Sequence, residues 1–130
     1  MCIFCKIAAK EIPAQILYED QEVMAILDIS AATYGHCLVL PKAHYANILE
    51  TPAELRHQLI DVAVNISELL IEKLNADGCN ILSNTNEAAG QTVFHTHLHL
   101  LPRYTNDDLQ IQFTAHPYNL EELRQKILDL

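Results

Sequence analysis

The segment His95-Thr96-His97-Leu98-His99-Leu100-Leu101 decides how the chain is read. Polar and apolar residues alternate through it, and side chains on a β-strand alternate between faces. Read as a strand over 93–101, it places His95, His97 and His99 on one face. Thr96, Leu98 and Leu100 fall on the other, which can pack on a core. At about 3.3 Å rise per residue, alternate histidines are roughly 6.5–7 Å apart and the row spans about 13 Å. One metal ion cannot hold all three along a straight strand, whereas an extended chain of phosphates suits such a row. Two of the three, as His-x-His, remain a reasonable zinc pair.

The neighbouring residues favour phosphorus chemistry. Gly90-Gln91-Thr92 precedes the histidines, where a glycine permits close backbone approach and an amide and a hydroxyl can donate to phosphate oxygens. Gly35-His36 offers another imidazole and Asn84 another amide. A partly unprotonated imidazole can attack phosphorus and form a P–N bond that water then breaks, with no catalytic metal or other catalytic cofactor.

Working outward, residues 14–19 and 22–28 read as strands joined by a turn at Glu19-Asp20-Gln21, and 36–41 as a third strand ended by Pro41. Residues 79–84 read as a fourth strand, and 2–10 as a short helix or turn. The clearest element is a helix from Pro52 to about Leu74, with Thr51 and Glu54 as a capping box. Its apolar stripe is Leu55, Leu59, Val62, Ile66, Leu69 and Leu70, and Asn75-Ala76-Asp77-Gly78 stops it. A short final helix is expected over 119–129. These elements predict an α+β fold, an antiparallel sheet of about five strands with one long helix packed on it.

With 130 residues, half of them hydrophobic, the chain suits one domain with a real core. A formal net charge of -9 argues against nucleic acid and anionic membranes as partners. No signal peptide or membrane span is legible, so a cytoplasmic location is expected. There the four cysteines are thiols or metal ligands rather than disulfides. Cys2-x-x-Cys5 has zinc half-site spacing, and Cys37 and Cys79 read as buried thiols.

The sequence resembles the histidine triad (HIT) family of nucleotide hydrolases and transferases. Its His-x-His-x-His signature followed by two apolar residues matches His95 to Leu101. Further matches run in the family's order: Phe4-Cys-Lys-Ile7, Glu11-Ile-Pro13, Tyr18-Glu-Asp20, Leu27-Asp-Ile-Ser30, Gly35 to Lys42, His44, Asn84 and Gly90-Gln-Thr92. The resemblance covers roughly residues 2–103, and the nearest branch is the small bacterial, Hint-like proteins that begin Cys-x-x-Cys. Residues 104–130 then form a loop-helix extension of a single HIT domain.

The resemblance implies roles by position. His97 matches the nucleophile that becomes nucleotidylated, and His99 and His36 match phosphate-contacting histidines. Gly90, Gln91 and Thr92 match the phosphate loop, with Asn84 nearby, and Asp28 matches the carboxylate that holds the ribose hydroxyls. Phe4, Ile7, Ile26, Ile29 and Leu38 fall where the family forms its base cleft, with plain core packing as the alternative. His44 and His95 join Cys2 and Cys5 as a structural zinc set. The implied activity is cleavage of purine nucleoside phosphoramidates or dinucleoside polyphosphates by a homodimer, releasing a nucleoside monophosphate. The competing readings are a nucleotide-binding regulatory module with little turnover and a metalloenzyme with a catalytic ion. Leu101-Pro102-Arg103 lacks the extra motif expected of a sugar-1-phosphate uridylyltransferase.

Overall fold

Five strands form one antiparallel sheet in the computed structural model, which describes residues 1–129. They are β1 (Ile16–Glu19), β2 (Val23–Leu27), β3 (Cys37–Pro41), β4 (Gly78–Ser83) and β5 (Leu98–Arg103), in the order β1-β2-β3-β5-β4. Three α-helices accompany them: α1 (Ile3–Ala8), the 22-residue α2 (Ala53–Leu74) and α3 (Leu120–Leu128). The α+β expectation is met, with the long helix on the sheet and the short helix at the end of the chain.

Strand alternation gives the sheet two apolar faces. Val23, Ala25, Cys37, Val39, Leu98 and Leu100 meet Leu59, Val62, Ala63, Ile66 and Leu70 of α2. On the other face Met24, Ile26, Leu38 and Leu40 meet Phe4 and Ile7 of α1. Burying a large aliphatic or aromatic side chain contributes about 1.5–3 kcal/mol, so both layers matter to stability. Asn75, in the left-handed region at φ 56°, ends α2. Gly78 begins β4 instead of ending the helix.

Three local expectations are corrected. The capping box does not form: Pro52 is the N-cap and no side chain caps α2. Thr51 is buried, and its hydroxyl bonds the Asn47 carbonyl and the Thr96 hydroxyl at 2.8 Å each. Leu69 is 41% exposed and lies outside the core stripe.

The third correction concerns the histidine segment. Its strand pairing starts only at Leu98, so His95 and His97 precede the ladder and His99 alone lies in β5. The β3–β5 ladder stops at Val39 opposite Leu98, two residues before β3 itself ends, because the 93–97 segment takes a different partner, the Thr96 N–H donating to the Tyr45 carbonyl at 2.8 Å. Beyond β5, residues 104–119 contain neither helix nor strand, and no side chain of α3 is buried.

Candidate active site and metal centre

His97 is 8% exposed, and Phe4 of α1 meets its ring edge-on at 5.0 Å. Its Nδ1 lies 2.7 Å from the His95 carbonyl. A carbonyl only accepts, so neutral His97 carries its proton on Nδ1 and its lone pair on Nε2. Burial holds its pKa below the usual histidine value, which keeps the ring unprotonated near neutral pH.

Three further groups gather beside it. His99 projects from β5 with its ring 5.0 Å from that of His97. His36 directly precedes β3, and its Nε2 stands 3.0 Å from His99 Nδ1 and 3.4 Å from Asp28 Oδ2. Asp28 directly follows β2, and its Oδ1 accepts the Ser30 N–H at 2.8 Å. The register of β2 and β3, Leu27 opposite Cys37, brings Asp28 and His36 together, and the Asp28 N–H closes onto the His36 carbonyl at 2.9 Å. Burial first, then the charges of His97 and His36, pull the His99 pKa down to about 4. Burial also lowers that of His36, against the attraction of Asp28.

The 84–92 loop departs in part from expectation. Gln91 is only 3% exposed, and its amide donates to the carbonyls of Ala46 and Val93 while its oxygen accepts the Asn86 N–H. Both amide hydrogens are therefore engaged within the protein. Gln91 braces the loop instead of presenting a free donor to phosphate. Gly90 takes φ 98°, and a Cβ there would lie 3.7 Å from the Asn84 amide nitrogen, so these two residues adjoin. Thr92 lines an open cavity of about 920 Å³ with Cys5, Lys6, His44 and Phe94, beside the cysteines.

Of the five expected cleft residues, Phe4, Ile7, Ile26 and Leu38 are buried in the α1 layer. Ile29 is 97% exposed next to Asp28 and packs with none of them, because it lies past the end of β2.

Cys2, Cys5, His44 and His95 converge so that one donor atom from each lies within 4.8 Å of the others. His95 Nδ1 is 3.3 Å from Cys2 Sγ, 3.5 Å from Cys5 Sγ and 3.2 Å from His44 Nδ1, and Cys5 Sγ is 3.3 Å from His44 Nδ1. Tetrahedral zinc with thiolate and imidazole ligands has donor–donor edges of roughly 3.3–3.8 Å, so the set fits. The second coordination layer fits too, since His95 Nε2 lies 2.7 Å from the Pro41 carbonyl, which places the proton there and the lone pair on Nδ1. His95 is thus turned toward Cys2, Cys5 and His44 and away from the row expected with His97 and His99. Cys37 is buried, and burial pushes its thiol up to about 12. Cys79 is only half-buried, near the Ser67 hydroxyl.

Sequence reasoning missed the Ala32 amide, which reaches His36 Nδ1, and the Thr51–Thr96 bridge behind the histidines. Backbone amides carry no residue-type signal. The bridge joins positions 45 apart and was legible only as a polar residue, Thr96, on the core-facing side of the segment.

Residues 9–106 match the HIT domain. A crystal structure of SMU.412c from Streptococcus mutans UA159 superposes with a TM-score of 0.92 at 45% identity, over 98% of this chain and 82% of that one. A Zn-bound histidine triad family protein from Mycobacterium smegmatis gives 0.79 at 42% identity, over 95% of this chain and 88% of that one. The adenylylsulfatase HINT3 of Arabidopsis thaliana is 40% identical over 108 residues, 83% of this chain and 55% of that protein. The histidine cluster, the sheet that presents it and these similarities agree: the chain belongs to the HIT family.

Proposed function

We propose that the chain is a nucleotide hydrolase or transferase that cleaves the bond to an α-phosphorus through a nucleotidylated His97. One observation carries this reading. The His95 carbonyl fixes the His97 proton on Nδ1 and leaves Nε2 nucleophilic, beside His36, His99 and Asp28. In the first step the Nε2 lone pair forms a bond to phosphorus, and the leaving group departs with its electron pair and takes up a proton from solvent. In the second, water attacks the same phosphorus and gives its proton to solvent, the P–N bond breaks with its electron pair returning to Nε2, and the neutral imidazole is restored with release of a nucleoside monophosphate. Substrates of this class are purine nucleoside phosphoramidates and dinucleoside polyphosphates. The adenylylsulfatase activity named for the Arabidopsis relative is supporting chemistry, since adenylyl sulfate also carries an activated α-phosphorus.

Asp28 would accept the ribose hydroxyls, His99 would bind phosphate oxygens with His36 holding its ring from behind, and Asn84, Gly90 and Thr92 would complete the phosphate side. Gln91 would act by bracing the loop. The exposed Ile29 and the edge of the α1 layer around Phe4 would meet the base. Zinc held by Cys2, Cys5, His44 and His95 would fix the N-terminal helix to the histidine segment, and no catalytic cofactor would be required. Two copies would pair: β4 is an edge strand with Ile81 and Leu82 partly exposed, and Leu120, Leu123 and Ile127 of α3 are exposed. No described helix is long and apolar enough to cross a membrane, and the negative net charge disfavours nucleic acid.

The test is rapid acid-free quenching of a reaction with adenosine phosphoramidate, followed by intact-mass and peptide analysis. An added adenylyl mass on the His97 peptide is expected. Steady turnover with no adduct in the wild type, and undiminished turnover in His97→Ala, would overturn the assignment. Tight adenosine monophosphate binding with negligible turnover across the substrate class would favour a regulatory binding module.

A further inference from the structure

We propose that the backbone N–H of Ala32 is a positioning group: through His36 it fixes the proton of His99 on Nε2. The argument runs through three contacts in series. The Ala32 N–H points at His36 Nδ1 from 3.0 Å. An amide N–H only donates, so that nitrogen must offer its lone pair, and the single proton of neutral His36 sits on Nε2. Both neighbours of His36 Nε2 can accept: His99 Nδ1 at 3.0 Å and Asp28 Oδ2 at 3.4 Å. The shorter contact makes His99 Nδ1 the acceptor, and neutral His99 then holds its own proton on Nε2.

The outcome is opposite polarity in two adjacent rings. His97 carries its lone pair on Nε2, whereas His99 carries an N–H there, with the ring centres 5.0 Å apart. A nucleophilic lone pair beside a fixed donor suits an anionic centre attacked at phosphorus, because the donor meets negative charge that a second lone pair would repel. That last step rests on the proposed nucleotidyl transfer. The tautomers themselves do not.

The 28–36 segment is built to hold the amide in place. Asp28 Oδ1 accepts the Ser30 N–H, the His36 N–H bonds the Thr33 carbonyl at 3.1 Å, and the Asp28 N–H bonds the His36 carbonyl. Gly35, at φ 91°, turns the chain so that the His36 ring folds back onto Ala32.

The same contact weighs against a metal role for Asp28, His36 and His99, whose donor atoms also lie within 4.8 Å of one another. Binding a metal through His36 Nε2 would move the proton to Nδ1, where it would face the Ala32 N–H.

The test is side-chain ¹H–¹⁵N long-range correlation NMR of the zinc-loaded, histidine-labelled protein, which reads each ring's tautomer directly. His36 and His99 are expected as Nε2–H forms and His97 as the Nδ1–H form. An Nδ1–H form at His36 or His99 overturns the proposal. Ala32→Pro removes the amide hydrogen. It should mix the tautomers at both rings and lower kcat by about 10–100-fold with KM changed far less. Unchanged tautomers in that variant would also overturn it. Should Ala32→Pro fail to fold, the wild-type spectrum alone decides. Wild-type tautomers as expected, in a protein that turns over neither a nucleoside phosphoramidate nor a dinucleoside polyphosphate, would uphold this proposal and remove the proposed activity.

Discussion

His95 and His97 are two residues apart, both nearly buried, and hydrogen-bonded in opposite senses. The His95 ring gives Nε2–H to the Pro41 carbonyl and turns Nδ1 toward Cys2, Cys5 and His44. The His97 ring gives Nδ1–H to the His95 carbonyl and keeps Nε2 free beside His99. One backbone oxygen per ring therefore turns two histidines of a single segment to opposite groups, one to a donor set that fits zinc and the other to His99, His36 and Asp28. Residue type sets what an imidazole can do, and the carbonyl it meets sets which nitrogen does it.

The two groups should respond differently to damage. The largest effect is expected from His97→Ala, which should lower the rate of adenosine monophosphate release from adenosine phosphoramidate and from diadenosine tetraphosphate by at least about 10³-fold. Zinc content, measured by atomic absorption, should stay at the wild-type level. Loss of zinc in that variant would break the division between the two groups.

Next comes Gly35→Ala. An added Cβ would lie 2.3 Å from Leu74 Cδ1, at a backbone φ of 91° that alanine adopts poorly. A loss of about 2–4 kcal/mol is expected in urea unfolding, with weakened turnover because His36 follows directly. A variant as stable as the wild type would show that the end of α2 yields easily.

Cys5→Ser, or removal of zinc by a chelator, should act mainly on stability, lowering Tm by roughly 5–10 °C while folded protein keeps measurable turnover. Abolished turnover in a still-folded, metal-free protein, restored by zinc, would instead favour a catalytic ion.

The smallest effect concerns pH. His99 has its pKa lowered to about 4, and that of His36 is lowered as well, both chiefly by burial. Between the unfolded histidine value of about 6.5 and that lowered value, the unfolded chain binds protons that the folded site refuses. The stabilisation is thus present above about pH 6.5 and is lost as pH falls toward 4. Urea midpoints measured from pH 7 down to 4.5 should fall more steeply for the wild type than for His99→Asn. Parallel curves would mean that His99 is protonated in the folded protein.

Much of the architecture was legible in the order of residues. Short apolar runs bounded by turn residues placed the strands, and the period-3.6 stripe placed α2; β2 and β3 show as continuous apolar runs because the sheet is covered on both faces. The Asp28, His36, His97 and His99 group, and the Cys2, Cys5, His44 and His95 set, came from a family resemblance, and the fold brings each together. Two of the misplaced details, Gln91 and Thr51, depend at least in part on a partner about 45 residues away. Gln91 turned inward because Ala46 and Val93 offer carbonyls, and Thr51 left its cap for Thr96.

The sequence by itself determined which side chains are available and which segments form strands and the long helix, since apolar runs and helical periodicity are local properties. Only the tertiary structure decided on which nitrogen the protons of His36, His95, His97 and His99 reside. Those choices follow from the Pro41 and His95 carbonyls and the Ala32 amide, which are backbone groups, identical in kind at every such position along the chain.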